Sequence, residues 1–294
     1  MGQFFQLVIS GFALGCIYAI VALGFVIIYK SSGVINFAQG ELMMVGAYFC
    51  YFMVVHLHLS YITAFVLTMG FSVALGLALE RVVLRRLIGE SVFAVIMVTI
   101  GLSTIFRSSV GLILGHEEHR FPSPFPENPI RLGGTVISHT SLWTIVITLF
   151  FLFIFFLFFK YTTVGVGMRA TADDQDTAQL MGISVKKIFA MSWVIATVVA
   201  SIGGISLAEI NFLYPHMSFI GLKAFPAAIL GGMDSIFGAI LGGIIIGLAE
   251  TLSGGYIDQY VAGGVSGIMS FIILILVLMV KPYGFFGTEE IERV

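Results

Sequence analysis

Charge is scarce in this chain. The 294 residues include 14 Lys and Arg and 16 Asp and Glu, giving a formal net charge of −2. Charged residues make up 10% of the sequence, where a soluble domain carries roughly 25%. Hydrophobic residues reach 59% and mean hydropathy is +1.06. So little polar surface cannot face water on all sides, which excludes a soluble globular protein and implies a polytopic membrane protein. Long polar stretches are also missing. None reaches the roughly 50 residues that a domain needs, so residues 1–294 read as one transmembrane domain. The two cysteines, Cys16 and Cys50, lie in apolar runs. They read as buried thiols and exclude a disulfide framework or a cysteine-ligated metal. A near-neutral balance without a basic stripe gives no reason to expect a nucleic-acid partner. The first residues, Met1-Gly-Gln-Phe-Phe-Gln6, lack the basic start of a cleaved signal peptide. Gln6 also stands where myristoylation needs Ser or Thr. The chain contains no Gly-Lys pair, which excludes a nucleotide-binding P-loop. Transport driven by ATP would therefore need an ATPase on a separate partner.

What is present is a series of apolar runs, each near the length that crosses a bilayer. They cover Phe5–Tyr29, Gln39–Val55, Ile62–Leu84, Val92–Leu114, Ser141–Phe159, Ile188–Leu213, a short Phe219–Gly232 broken by Pro226, Ser235–Leu252 and Val261–Val280. The expectation is an all-α helix bundle of about eight or nine spans. Basic residues favour the cytoplasmic side near span ends. An alternating path places Lys30, Arg81, Arg85, Arg86, Lys160, Arg169, Lys186, Lys187 and Lys281 on one face. The other receives Arg120 and Arg131, diluted by Glu117, Glu118 and Glu127, with the six histidines on or near it. This predicts the N-terminus outside and the C-terminus inside. Small residues recur at helical spacing as Gly11, Gly15 and Ala19, then Gly238 and Gly242, and Gly243 and Gly247. Such ridges let backbones approach where lipid gives no hydrophobic drive for helices to associate.

A polar cluster, Asn36, Gln39 and Glu41, opens the second run. Polar groups inside a membrane are costly and usually face a bundle interior or a water-filled path. Asn36, Gln39, Gly40 and Met43 share one helical face, and Glu41, Met44, Val45 and Tyr48 another. Two polar faces imply contact with a pathway and with a neighbouring helix. Arg107, Glu209, Lys223 and Glu250 are further candidates within or near spans. Snorkelling at a span end suits Glu209, Lys223 and Glu250 equally well, whereas Arg107 sits deeper. The longest inward polar island is 161–187. Within it Thr171 and Asp174 stand three apart as in a capping box. Asp173, Asp174 and Asp176 crowd a first helical turn, Ala178 and Met181 give a small apolar face, and Gly182 suits the stop. A short capped helix there has the outline of a docking element. At the outer loop, about 115–140, His116-Glu-Glu-His119 has the histidines three apart, not the four of a zinc-binding helix, and reads as a solvated loop. Phe121–Pro129 reads as extended. No nucleophile–base set or metal-ligand cluster stands out, so no catalytic residue is assigned. From the residues alone a driven transporter, a passive channel for a small neutral solute and an ion-coupled transporter all remain open. Arg107 and Glu209 favour the last, and a capped inward helix favours the first.

Gly33–Tyr48 closely resembles the first signature of the LivH-type permeases of branched-chain amino-acid ABC importers. The segment Gly221-Leu-Lys-Ala-Phe-Pro-Ala-Ala-Ile-Leu-Gly-Gly232 resembles the second, continued by Ser235–Gly243. Gly167-Met-Arg-Ala170 with Ala178-Gln-Leu-Met-Gly182 resembles the family's ATPase-docking loop. The matches run in order from Phe12 to about Lys281, and depart from the family pattern at Pro226 and at Gln39. The resemblance implies a permease without a cofactor of its own, in a bacterial or archaeal cytoplasmic membrane. Its partners would be a second, LivM-like permease, two cytoplasmic ATPases holding ATP and Mg²⁺, and an extracytoplasmic substrate-binding protein. It implies an inverted repeat with broken helices near Asn36 and Pro226. The pathway and gate would then involve Asn36, Gln39, Gly40, Glu41, Tyr48, Lys223 and Pro226. Coupling to the ATPases would involve Arg169, Thr171, Asp173, Asp174, Asp176, Gln179, Leu180, Met181 and Gly182. Leucine, isoleucine and valine are the implied cargo, with urea, short amides or aromatic acids as alternatives carried by related permeases.

Overall fold

The computed structural model describes residues 2–87, 90–126, 128–132, 135–261 and 264–288. Of the outer-loop charges, Glu127 and the side chain of Arg131 lie outside the described residues. Among those described, six helices are long and apolar enough to cross a membrane. They are α1 (Gly2–Ser32), α3 (Tyr61–Val82), α4 (Val92–Leu114), α5 (His139–Tyr161), α8 (Val185–Ile210) and α11 (Ile236–Tyr256). Shorter apolar helices are α2 (Gln39–Val55) and α12 (Ser266–Val280). The inward island forms α6 (Thr163–Asp173) and α7 (Gln175–Leu180), and the broken segment forms α9 (Ser218–Leu222) and α10 (Ala224–Gly231). The protein is a polytopic, multi-pass membrane protein. One departure from an all-helical chain is a hairpin in the outer loop, β1 (Ile130–Leu132) antiparallel to β2 (Thr135–Ile137). Three-residue strands carry too few residues for a period-2 pattern to show.

α1 and α8 form the centre, with 89% of the apolar stretch of each buried. A helix surrounded by protein needs no polar face, so its sequence is apolar all round. Cys16 to Ile28 is accordingly buried without interruption. α1 lies along α11, and α8 along α2 and α3. Small residues make these contacts possible. A Cβ added at Gly247 would fall 2.3 Å from the backbone of Gly15, and one at Gly243 would fall 2.4 Å from Ala19 N. The other ridge of α11 faces α10, where Gly238 and Gly242 abut the backbone of Gly231 and Ala227. On the α8 side, Ser72 Oγ donates to Ser201 Oγ at 2.7 Å, and Gly76 fits against Val194 and Thr197.

The order α1, break, α2, α3, α4 recurs as α8, break, α10, α11, α12, with α5 to α7 between. The packing recurs as well, with α1 antiparallel to α11 and α3 antiparallel to α8. Lys30 near the end of α1 donates to Asp234 O, just before α11, at 3.0 Å. Tyr61, the first residue of α3, bonds Glu209 near the end of α8. Ser32, Val34, Gln175 and Trp193 line one cavity, so α8 starts at the end of the bundle where α1 stops. The two halves therefore run in opposite directions, an inverted repeat.

Candidate functional site

The first break begins where Gly33, at φ +68, turns the chain out of α1. Residues 34–37 then re-enter the bundle outside any helix, and nearby side chains supply partners. Asn36 Oδ1 accepts from Ala38 N at 3.0 Å, and Thr99 Oγ1 on α4 accepts from Phe37 N at 3.3 Å. Asn36 Nδ2 donates to Gln39 Oε1 at 3.2 Å, and Gln39 Nε2 donates to Ala196 O on α8 at 3.1 Å. Irregular backbone at membrane depth survives only where protein or a wet cavity satisfies it. Asn36 and Gln39 are both fully buried, so in this conformation they brace the break from inside. Gly24 leaves the space for Gln39, since a Cβ there would fall 1.9 Å from its Nε2.

The second break follows Leu213, whose backbone bridges to His119 of the outer loop. A 3₁₀ turn at Pro215–Met217, then α9, then Lys223 lead into α10. Pro226 stands in the first turn of α10, where a missing N–H leaves nothing unsatisfied. It cannot donate to Leu222 O, so α9 and α10 cannot fuse into one helix. Pro226 therefore maintains the break without kinking α10.

The two breaks meet. A Cβ at Gly40 would lie 2.2 Å from Ser218 O, and one at Gly221 would lie 2.8 Å from Gly40 Cα. Phe225 spans the junction, 5.8 Å from Phe37 and 5.5 Å from Phe25 between ring centroids. Around it lie charged groups. Glu41 pairs with Arg107 of α4, whose guanidinium carbon sits 4.4 Å from the centre of the Phe219 ring. Lys223 Nζ donates to Glu250 Oε1 at 2.5 Å, and Tyr18 Oη donates to Glu250 Oε2 at 2.8 Å. Lys223 and Glu250 thus bind each other and do not snorkel. Glu209 is separate, bonded to Tyr61 at the loop end of α8. Tyr48 is buried higher in α2, and its hydroxyl has no partner among the described residues.

In the inward island the expected helix start is displaced. Thr171 is no cap: it is buried near the end of α6, and its hydroxyl donates to Gly167 O at 2.8 Å. Asp174 caps α7, accepting from Asp176 N at 2.9 Å and Thr177 N at 3.0 Å. Asp173 accordingly ends α6 instead of opening the docking helix, and Asp176 alone of the carboxylates sits in the first turn of α7. The Thr177 backbone N–H, then its hydroxyl, hold the Asp174 carboxyl below its ordinary range, with the Asp176 N–H adding to them. Gly182, at φ +85, ends the unit. The apolar face also differs: Ala178 is buried, whereas Leu180 and Met181 project at 87% and 79% exposure. Gln179 is exposed, and Arg169 donates to Phe159 O, tying α6 to α5. At the outer loop His119 stacks on Tyr51, with ring centroids 5.2 Å apart.

Sequence reading missed Tyr18, Thr99, Ser218 and Phe219. Tyr18, Thr99 and Phe219 lie in apolar runs and Ser218 just before one, and each gains its meaning from a residue far along the chain. Only the polar hydroxyls of Tyr18, Thr99 and Ser218 could have marked them.

A family model described as the permease component of the branched-chain amino acid transport system matches residues 7–278. The chain is 32% identical to the high-affinity branched-chain amino acid transport system permease protein BraD of Pseudomonas aeruginosa, over 99% of this chain and 98% of that protein. It is equally identical, with the same coverage, to LivH of Escherichia coli K12. A probable branched-chain amino acid transport permease protein, LivH of Methanocaldococcus jannaschii, is 29% identical over 92% of this chain and 88% of that protein.

Proposed function

The chain belongs to the branched-chain amino acid transport system permease family, and from that premise we propose that it is the membrane subunit of an ABC importer for leucine, isoleucine and valine. It is a transport subunit, not an enzyme. A second related permease completes the path, two cytoplasmic ATPases bind the α6–α7 end with their own ATP and Mg²⁺, and a soluble binding protein delivers cargo outside a bacterial or archaeal cytoplasmic membrane. The observation that carries the mechanism is the contact of Gly40 with Ser218 and Gly221, where two helix breaks of opposite direction touch. A packed contact of this kind has discrete arrangements, so moving one half against the other opens and closes it.

In this reading Asn36 and Gln39 hold the shape of the gate. Gly40 permits its closure, Pro226 keeps the second break open, and the charged residues Glu41 and Lys223 border the path. Leu180 and Met181 insert into a groove of the ATPase, with Asp174 fixing the helix that carries them. ATP-driven closure of the ATPases pushes on that knob, and α6 passes the motion to α5 and α8, which it contacts.

The test is to purify tagged chain gently with its neighbouring gene products and reconstitute the assembly in liposomes. Co-purification of ATPases, with hydrolysis stimulated by leucine-loaded binding protein, is the expected result. Leucine entry through the chain alone, without ATPase, would replace this reading with a passive channel.

A further inference from the structure

The two mid-span ion pairs lie along one strip. Phe219 and Lys223 are four residues apart in helical backbone, with Lys223 itself at φ −64, so they share a face. Phe219 packs under Arg107, and Lys223 holds Glu250. The cation of each pair is the more open member. Arg107 and Lys223 side chains are 30% and 20% exposed, their carboxylates 4% and 13%. Arg107 stands seven residues from the end of α4, roughly 10 Å inside it. A part-open charge at that depth cannot face hydrocarbon, so the strip faces water or a second polar surface. Its margins agree. On α4, Gly101, Thr104 and Ser108 are exposed at spacings of three and four, and His216 stacks beside the exposed Phe219. Arg107 Nη2 donates to Glu41 Oε1, and a guanidinium carries more donors than one carboxylate oxygen takes up.

We propose that this strip is a substrate-contacting wall of the path and that it recognises the α-carboxylate of the passing amino acid. The α-carboxylate of the passing amino acid takes the spare guanidinium donors of Arg107. Phe219, half exposed beneath Arg107, packs its apolar side chain. The carboxylate meets a guanidinium that is already paired with Glu41, so partners exchange without baring an ion. Because the pairs neutralise each other, the strip passes the solute instead of trapping it. A solute lacking a carboxylate, such as urea or an amide, gains nothing from it. This inference rests on the importer reading and adds substrate-contacting residues to its path.

The experiment uses the full complex in liposomes, with radiolabelled L-leucine as the probe and uptake per ATP hydrolysed as the readout. The neutral, space-filling pair Glu41→Gln/Arg107→Met preserves packing and removes both charges. Subunits are expected to co-purify while the ratio falls roughly tenfold or more. A ratio within about twofold of native would show that the pair only staples α2 to α4. Thr104→Leu, on the exposed margin of α4, guards against misfolding of that pair. It is expected to lower the ratio by roughly fivefold in an assembled complex, and an unchanged ratio would overturn the proposal. Failure of the native complex to take up leucine with ATP would overturn the importer reading itself, and is distinct from a loss confined to the variants.

Discussion

Gly247→Ala gives the sharpest test of how this bundle coheres. In the fold a methyl at that position meets the backbone of Gly15 at 2.3 Å and Gly11 O at 2.8 Å, where ordinary contact needs 3.4 to 4 Å. Backbone atoms cannot rotate away as a side chain does, so α1 and α11 must part by about 1 Å or more over this stretch. Dispersion contacts along that crossing weaken together, and lipid offers no hydrophobic compensation. Overpacking of this kind costs about 1–3 kcal/mol, which lowers Tm by roughly 2–12 °C for a chain of this size. Gly70→Ala is the matched control. It lies in the interior of α3 with nothing within 4 Å of an added Cβ. Alanine favours the helix there by up to about 1 kcal/mol. Thermal unfolding of the purified, detergent-solubilised variants should show loss at Gly247 and no change or a gain at Gly70. Equal Tm values for the two would refute the claim that close backbone packing holds α1 to α11.

Tyr48→Phe removes a buried hydroxyl that has no partner among the described residues; it should be neutral or raise stability by up to about 1–3 kcal/mol, and a lower Tm would show that the hydroxyl is bonded. Leu180→Asp alters a side chain that is 87% exposed. It should change stability by no more than about 0.5 kcal/mol, yet abolish ATPase co-purification in a pull-down. The carboxyl of Asp174 is held low by the N–H groups it caps, so its contribution to α7 is complete above the unfolded value near about 3.9 and is lost as pH falls through the lower folded value. Amide exchange across 174–181 should therefore be protected equally at neutral and mildly acidic pH and fail only in strong acid; loss of protection near neutrality would contradict that. Asp174→Asn retains a side-chain acceptor and should keep that protection at neutral pH, whereas Asp174→Ala should lose it.

The long elements were legible because lipid exposure writes them directly into composition. The runs Gln39–Val55 and Val92–Leu114 coincide with α2 and α4 to the residue. α8 begins at Val185, three residues before the apolar run, because Lys186 and Lys187 extend the helix beyond its hydrophobic part. Local chemistry misled at Thr171, where a Ser/Thr-x-x-acid pattern matched a cap that Asp174 supplies. The partners of the charged residues could not be read at all. Glu41 and Arg107 are 66 positions apart, and Tyr18 and Glu250 are 232 apart. Sequence marked Glu41, Lys223, Glu250 and Arg107 as costly in hydrocarbon, but only the fold shows that they neutralise one another in two pairs.

The internal repeat was expected only from the family resemblance and was not legible in the residues themselves, for a related reason. The two breaks occupy equivalent places in the halves, yet each is built from different chemistry. At the first, Gly33 turns the chain with a positive φ, and the side chains of Asn36 and Thr99 take the N–H groups of Ala38 and Phe37. At the second, Pro226 denies Leu222 O its helical donor, and the chain remains near helical angles through Lys223. What the halves share is a backbone path, and a path can be enforced by satisfying freed groups or by withholding a donor. The difference has a mechanical consequence. The first break is tied by hydrogen bonds to α4 and α8, so it moves only with those helices. The second is set by its own covalent structure and is tethered through the Lys223–Glu250 pair and close glycine contacts. In the alternating-access proposal, relative motion of the halves falls between Gly40 and α9, where the backbones touch through glycine.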